Sequence, residues 1–133
     1  MNPTAIGDVS EAIVIAAFVK AGRRVLLLFG NNERYDLVVD HGDRFERVQI
    51  KTGVLERGGV TFRPASMTTR GGKPVMRDYH GQIDSFAVYC RKNDSIYVVP
   101  ISRCGTREMF LRFEPAKNSQ SKGVNMASEF IWA

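Results

Sequence analysis

Between positions 25 and 52 the chain places three short β-prone runs end to end, residues 25–29, 35–39 and 45–52. They are separated only by the turn-forming groups Gly30-Asn31-Asn32 and Asp40-His41-Gly42-Asp43. Glycine, asparagine and aspartate tolerate the backbone angles of tight reversals, so such spacers predict consecutive strands joined as hairpins. A sheet of this kind needs cover. The stretch 12–19 is apolar on every side, with Asp8 or Ser10 as a cap ahead of it and Gly22 as a stop behind it, which predicts a short buried helix.

Beyond position 52 the pattern changes. Residues 57–77 hold Gly58-Gly59 and Gly71-Gly72, a strand-like Val60-Thr61-Phe62-Arg63, a proline and a polar run 66–69, which predicts a strand followed by a mobile loop. Residues 86–90 and 96–99, separated by Lys92-Asn93-Asp94-Ser95, read as a further hairpin. A polar tail over 115–123 precedes Phe130-Ile131-Trp132, an apolar terminus expected to dock on the body. With 133 residues, no repeat and no linker, the economical reading is one domain over 1–133, of α/β class with a mainly antiparallel sheet.

Composition excludes several classes. At 44% hydrophobic and 25% charged the chain can build a core and is not a disordered polymer. Cys90 and Cys104 lack CxxC spacing, and with only His41 and His80 beside them a four-ligand zinc site is not expected. No apolar run approaches the ~20 residues that cross a bilayer, and the N-terminus lacks a signal-peptide pattern, so a reduced, cytoplasmic protein with no membrane partner is expected. The formal charge of +5 is unevenly spread. Residues 1–50 carry six basic and seven acidic groups, residues 51–133 thirteen and seven. Arg57, Arg63, Arg70, Lys73 and Arg77 lie in a stretch without any acid, among glycines and hydroxyls that let backbone approach phosphate. This is the expected DNA-binding segment, with a merely solubilising basic loop as the alternative.

In the third run the two-residue period puts Phe45, Arg47, Gln49 and Lys51 on one face and Glu46, Val48, Ile50 and Thr52 on the other. Glu11, Asp36, Gln49 and Lys51 then form a candidate site. Phosphodiester hydrolysis needs a hard cation held by one or two carboxylates and several waters, and a lysine nearby to orient water and offset charge. Each residue also has a structural alternative. Asp8 and Glu11 have capping-box spacing. Asp36 could pair with Arg34 or Arg47. Gln49 and Lys51 could belong to a solvated sheet face. His80 could touch a phosphate but is more simply structural, and Asp84 could cap a helix or open a strand.

Helix acid, Asp-bearing hairpin strand and Val48-Gln49-Ile50-Lys51-Thr52, in that order, resemble the PD-(D/E)XK nuclease superfamily. More narrowly, Gly7-Asp8-Val9-Ser10-Glu11, Tyr35-Asp36-Leu37-Val38, Gly81-Gln82-Ile83-Asp84-Ser85-Phe86, Tyr97-Val98-Val99-Pro100, Leu111-Arg112-Phe113-Glu114-Pro115 and Asn118-x-Gln120 are similar to the group I intron-encoded homing endonucleases of that superfamily. At a coarser level the order also resembles archaeal Holliday junction resolvases. The resemblance implies a single restriction-endonuclease-like domain, with a mixed, mainly antiparallel central sheet flanked by helices. It implies a Mg²⁺-dependent DNA endonuclease, with Mn²⁺ as a substitute, in which Glu11, Asp36 and Lys51 are catalytic. Gln49 stands where Glu or Asp is common, a substitution the homing branch also has. Glu11, Asp36 and Gln49 are the implied metal ligands. DNA, duplex or branched, is the implied partner, and cutting both strands calls for a homodimer or homotetramer. A DNA-binding module that kept the fold without the chemistry, and an adaptor docking an acidic protein, are the alternatives.

Overall fold

The computed structural model describes residues 1–30, 33–116 and 123–132. The Asn31-Asn32 part of the first turn and the Asn118-x-Gln120 motif lie outside the described residues.

The helix α1 runs over Pro3–Lys20, longer than the apolar core alone predicts, because its start signal lies further upstream. Asn2 Oδ1 accepts from the Ala5 amide at 2.8 Å, and Pro3 occupies the first helical position, where no amide hydrogen is missed. Neither Asp8 nor Ser10 caps it. Its C-terminus closes as predicted at Gly22, whose φ of 83° allows Arg23 N to reach Phe18 O and Gly22 N to reach Val19 O. The expectation of all-round burial is corrected. Ser10, Val14 and Phe18 are its buried residues, one i, i+4 stripe, while Val19 remains 55% exposed.

Strands follow as β1 (Arg24–Leu27), β2 (Leu37–Asp40), β3 (Phe45–Glu56), β4 (Gly59–Phe62), β5 (Ala65–Arg70), β6 (Lys73–Asp78), β7 (Ser85–Cys90), β8 (Ser95–Pro100), β9 (Met109–Arg112) and β10 (Asn125–Met126). The predicted hairpins β1–β2, β2–β3 and β7–β8 are present, all antiparallel. The central pair β3–β7 is parallel, from Val48 opposite Ser85 to Gly53 opposite Cys90. The sheet order is therefore β1-β2-β3-β7-β8, mixed and mostly antiparallel, as expected. Among the described residues the α-helical cover is α1 alone.

β3 serves two sheets. Its last residues, Val54 to Glu56, leave the central sheet to pair with β4, which continues to β9 and β10. The side-chain alternation of β3 gives each face its own core. Val48 and Ile50 join Leu37, Val39, Ala87 and Tyr89 beneath Val14 and Phe18 of α1. On the opposite face Phe86, Val88, Tyr97 and Val99 pack against Val60, Phe62, Met109 and Leu111. Phe130 is buried, Trp132 meets Phe18 edge-on at 4.7 Å, and Trp132 N donates to Ile96 O, so the apolar terminus docks along β8 as expected.

The mobile loop expected after β4 is instead a regular two-stranded ribbon, β5 paired antiparallel with β6 from Ala65–Asp78 to Arg70–Lys73. Gly71 and Gly72, with φ of 55° and 77°, make its two-residue turn. Both ribbon faces meet solvent, so no apolar alternation announces it.

Candidate active site

The candidate residues come from three elements. Glu11 sits in the middle of α1, and the residue before it, Ser10, is buried with its Oγ 2.6 Å from Thr52 Oγ1. That bond fixes α1 against β3 one residue beyond Lys51. Because Asn2 caps the helix, the capping-box explanation of Glu11 falls away, and its carboxylate lines a cleft of about 290 Å³ with Leu27, Leu28, Gly30, Glu33, Tyr35 and Asp36.

Asp36 lies immediately before β2, held by its own amide on Val48 O at 2.9 Å and by Ile50 N donating to Oδ2 at 2.8 Å. Both arginines that might have neutralised it are committed elsewhere. Arg47 forms a fork with Asp84, Nε to Oδ2 and Nη2 to Oδ1 at 3.1 Å each, and its amide adds a bond of 2.7 Å. That explains Asp84 as the latch that opens β7. Arg34 lies 3.8 Å over the Tyr79 ring and donates to Gln82 Oε1 at 2.6 Å and Ser66 Oγ at 2.8 Å. Among the described residues, neither Asp36 nor Glu11 has an ion-pair partner within 4 Å.

Gln49 and Lys51 share the face away from α1, as the alternation of β3 predicts, and both are half-buried rather than solvated. With the amide oriented so that both ends find partners, Gln49 Nε2 donates to Arg34 O at 2.9 Å and Asp36 Oδ2 at 3.2 Å. Its oxygen faces Asp36's neighbourhood only after the amide turns over, which exchanges nitrogen and oxygen at constant shape. Lys51 Nζ donates to Ala65 O at 3.1 Å and lies 5.3 Å above the Tyr79 ring.

The electrostatics carry a cost. Burial pushes the Asp36 carboxyl above its ordinary range, with the Ile50 amide and Lys51 pulling it back. Glu11 is also pushed up, by burial first and then by the charges of Asp36 and Asp8. Lys51 is pushed down by burial, against Asp36 and with help from Arg34 and Arg63. A carboxyl whose folded pKa is raised contributes stability that is complete below its unfolded value and is lost as pH rises through the folded one. With chelator present, the melting temperature of Asp36→Asn should therefore gain on the wild type as pH rises above the ordinary aspartate value of about 4. Parallel melting curves across that range would remove this account of Asp36.

The five basic candidates are not brought to one place. Arg70, Lys73 and Arg77 lie on the β5–β6 ribbon, and Arg63 lies between β4 and β5, close enough to depress Lys51. Arg57 stands apart at the β3–β4 turn, with Nη2 3.3 Å from both Glu56 and Glu108. His80 is structural, its ring nitrogen 3.0 Å from Cys104 O. Residues that sequence reasoning passed over are Arg34, Tyr79 and Glu33. The contacts of Arg34, with Ser66, Tyr79 and Gln82, span 32 to 48 positions, and no local pattern signals them.

Among the described residues no three His, Cys, Asp or Glu side chains cluster to hold a metal. The available donors are two carboxylates and an amide. All are oxygen donors, which suits a hard cation that keeps several waters and suits zinc poorly.

A helix acid, an aspartate before the second strand and a lysine two residues past Gln49, set on a mixed sheet with a parallel central pair, are the arrangement of PD-(D/E)XK nucleases. The chain belongs to the PD-(D/E)XK endonuclease family, whose model matches residues 1–132. In fold it is similar to I-Ssp6803I, a bacterial homing endonuclease, with a TM-score of 0.79 and 21% identity over 98% of this chain and 89% of that one. No curated protein matches the sequence.

Proposed function

We infer that the chain is a Mg²⁺-dependent DNA endonuclease of the homing kind, hydrolysing phosphodiester bonds, with Mn²⁺ able to replace Mg²⁺. The observation that carries this reading is the pair Glu11 and Asp36 in one cleft, unneutralised by any arginine and adjoining Gln49 and Lys51. A bound divalent cation supplies charge neutralisation at the phosphate and a more acidic water. Asp36 and Glu11 are the residues that would hold it, joined by Gln49 through its amide oxygen once the amide has turned over. The neutral amide makes that grip weaker than a third carboxylate would. Lys51, its ammonium anchored on Ala65 O and backed by Tyr79, is placed to orient water and to meet charge on a phosphate oxygen.

One such centre cuts one strand, so a homodimer or homotetramer is the working assembly for a double-strand break. Cytoplasmic action suits the two cysteines, which are buried and free, with the Cys104 thiol pushed up to about 11 by burial.

Supercoiled plasmid incubated with the protein and Mg²⁺ or Mn²⁺ should be nicked and linearised, and chelator should stop the reaction. Asp36→Ala should lower the single-turnover rate by about a thousandfold. Equal rates for Asp36→Ala and wild type would refute this site. Salt-dependent duplex binding with no metal-dependent product would instead support a binding module without chemistry.

A further inference from the structure

The register of β5 and β6 sorts the ribbon's side chains. Directly opposed residues of an antiparallel pair share a face, and faces alternate along each strand. Ser66 with Arg77, Thr68 with Val75 and Arg70 with Lys73 therefore share one face, while Met67 with Met76 and Thr69 with Pro74 share the other. All three ribbon cations thus fall on a single face, interleaved with two hydroxyls. Every residue of β6 is exposed, as are the last four of β5.

The base of this ribbon is tied to the catalytic strand. Lys51 Nζ bonds Ala65 O, the first residue of β5, and Arg34 bonds Ser66 Oγ and Asp78 O. Six residues at ~3.4 Å each carry the tip about 20 Å from that anchor, which spans about six base pairs. The major groove of B-form DNA, about 12 Å wide, admits a two-stranded ribbon, whereas the deep, narrow major groove of A-form RNA does not.

We propose that the β5–β6 ribbon enters the major groove of B-form duplex DNA with its Arg70, Lys73 and Arg77 face inward, reading sequence within about six base pairs of the scissile phosphate. This rests on the endonuclease reading only for the location of the cut. Ser66, Thr68 and the cations supply donors for base edges and phosphates. Val75 offers apolar contact to a thymine methyl.

The test is made on the full chain with chelator present, so that binding is measured without cleavage. Duplexes of about 40 base pairs, enriched for binding from a random pool, are titrated at about 50 and about 200 mM salt. A variant carrying Arg70→Ala, Lys73→Ala and Arg77→Ala should lose about 0.9 from the salt slope for each of the three that meets a phosphate, up to about 2.7. It should therefore be up to about fortyfold less salt-sensitive than wild type over that interval. Met67→Ser with Met76→Ser, on the other face, should bind as wild type. Dimethyl sulfate should find guanine N7, in the major groove, protected and adenine N3, in the minor groove, open.

An unchanged slope in the triple variant overturns the proposal. So does protection of adenine N3 instead of guanine N7, or equal or tighter binding of duplex RNA or a four-way junction. If the slope is unchanged yet Lys51-dependent plasmid nicking persists, the ribbon proposal alone fails. If ribbon-dependent binding persists without metal-dependent nicking, the endonuclease reading alone fails.

Discussion

Lys51→Met should reduce single-turnover cleavage of plasmid DNA by about a thousandfold while leaving the melting temperature equal to or above that of the wild type. The two halves of this expectation have one cause. Lys51 is half-buried on β3, and burial depresses its pKa against the pull of Asp36. A lysine whose folded pKa is depressed contributes stability only above its unfolded value and loses it as pH falls through the folded one, so at neutral pH its charge is a net cost. Methionine keeps the alkyl stem against Tyr79 and removes the ammonium. What it gives up is the bond to Ala65 O and the ammonium that the proposed reaction assigns to the phosphate. A melting temperature that falls together with activity would mean that Lys51 acts as a strut between β3 and the ribbon rather than on substrate.

Gly59→Ala should be the most destabilising small substitution in the second sheet, costing about 3 kcal/mol or more and lowering the melting temperature by about 10 °C. A methyl group there would stand 2.3 Å from Leu111 O and 2.6 Å from the Phe110 ring. The ring can turn aside. The carbonyl belongs to the β4–β9 ladder, in which Gly59 faces Arg112 and Val60 faces Leu111, and it moves only if the strands part. Gly53→Ala meets the Cγ1 methyls of Val60 and Val88 at 2.6 and 2.9 Å; these buried, β-branched side chains must repack, but no backbone ladder has to part, so it should cost less. Thermal melts of the two variants check the ranking. Equal losses would show that the β4–β9 pair yields more readily than its ladder indicates.

How much of this was legible beforehand depends on whether the signal was local. The alternation of β3 placed Gln49 and Lys51 on one face and Val48 and Ile50 on the other, because successive side chains of an extended strand point to opposite sides. The turns at Gly42 and between β7 and β8 are written in single residues. The helix start was legible too, in Asn2-Pro3, but it lies outside the apolar run that drew attention. Neither face of β5 or β6 is buried, so hydrophobic periodicity has nothing to mark there, although Gly71-Gly72 is a hairpin signal in itself. β9, with Met109 and Leu111 inward, is too short to rise above its surroundings.

At the site, the residue types and their order were readable, and the partners that decide their roles were not. That Arg47 is spent on Asp84 and Arg34 on Tyr79, Gln82 and Ser66 depends on contacts across 32 to 48 positions. Those contacts are what leave Asp36 without an arginine partner. The structural alternatives for Glu11 and Asp36 were reasonable from the sequence and fail only in three dimensions.

The parallel pair β3–β7 requires a crossover, and here the chain makes that excursion through β4 and the ribbon instead of a helix. Ala65 and Asp78 are register partners, so the ribbon leaves and rejoins the body at one point. Adding or removing residues in matched pairs would change the ribbon's length without altering the path of α1, of the turn into β2 or of β3, which carry Glu11, Asp36 and Lys51. The length of the ribbon is thereby an adjustable dimension of this molecule, free to vary while the geometry at its root stays fixed.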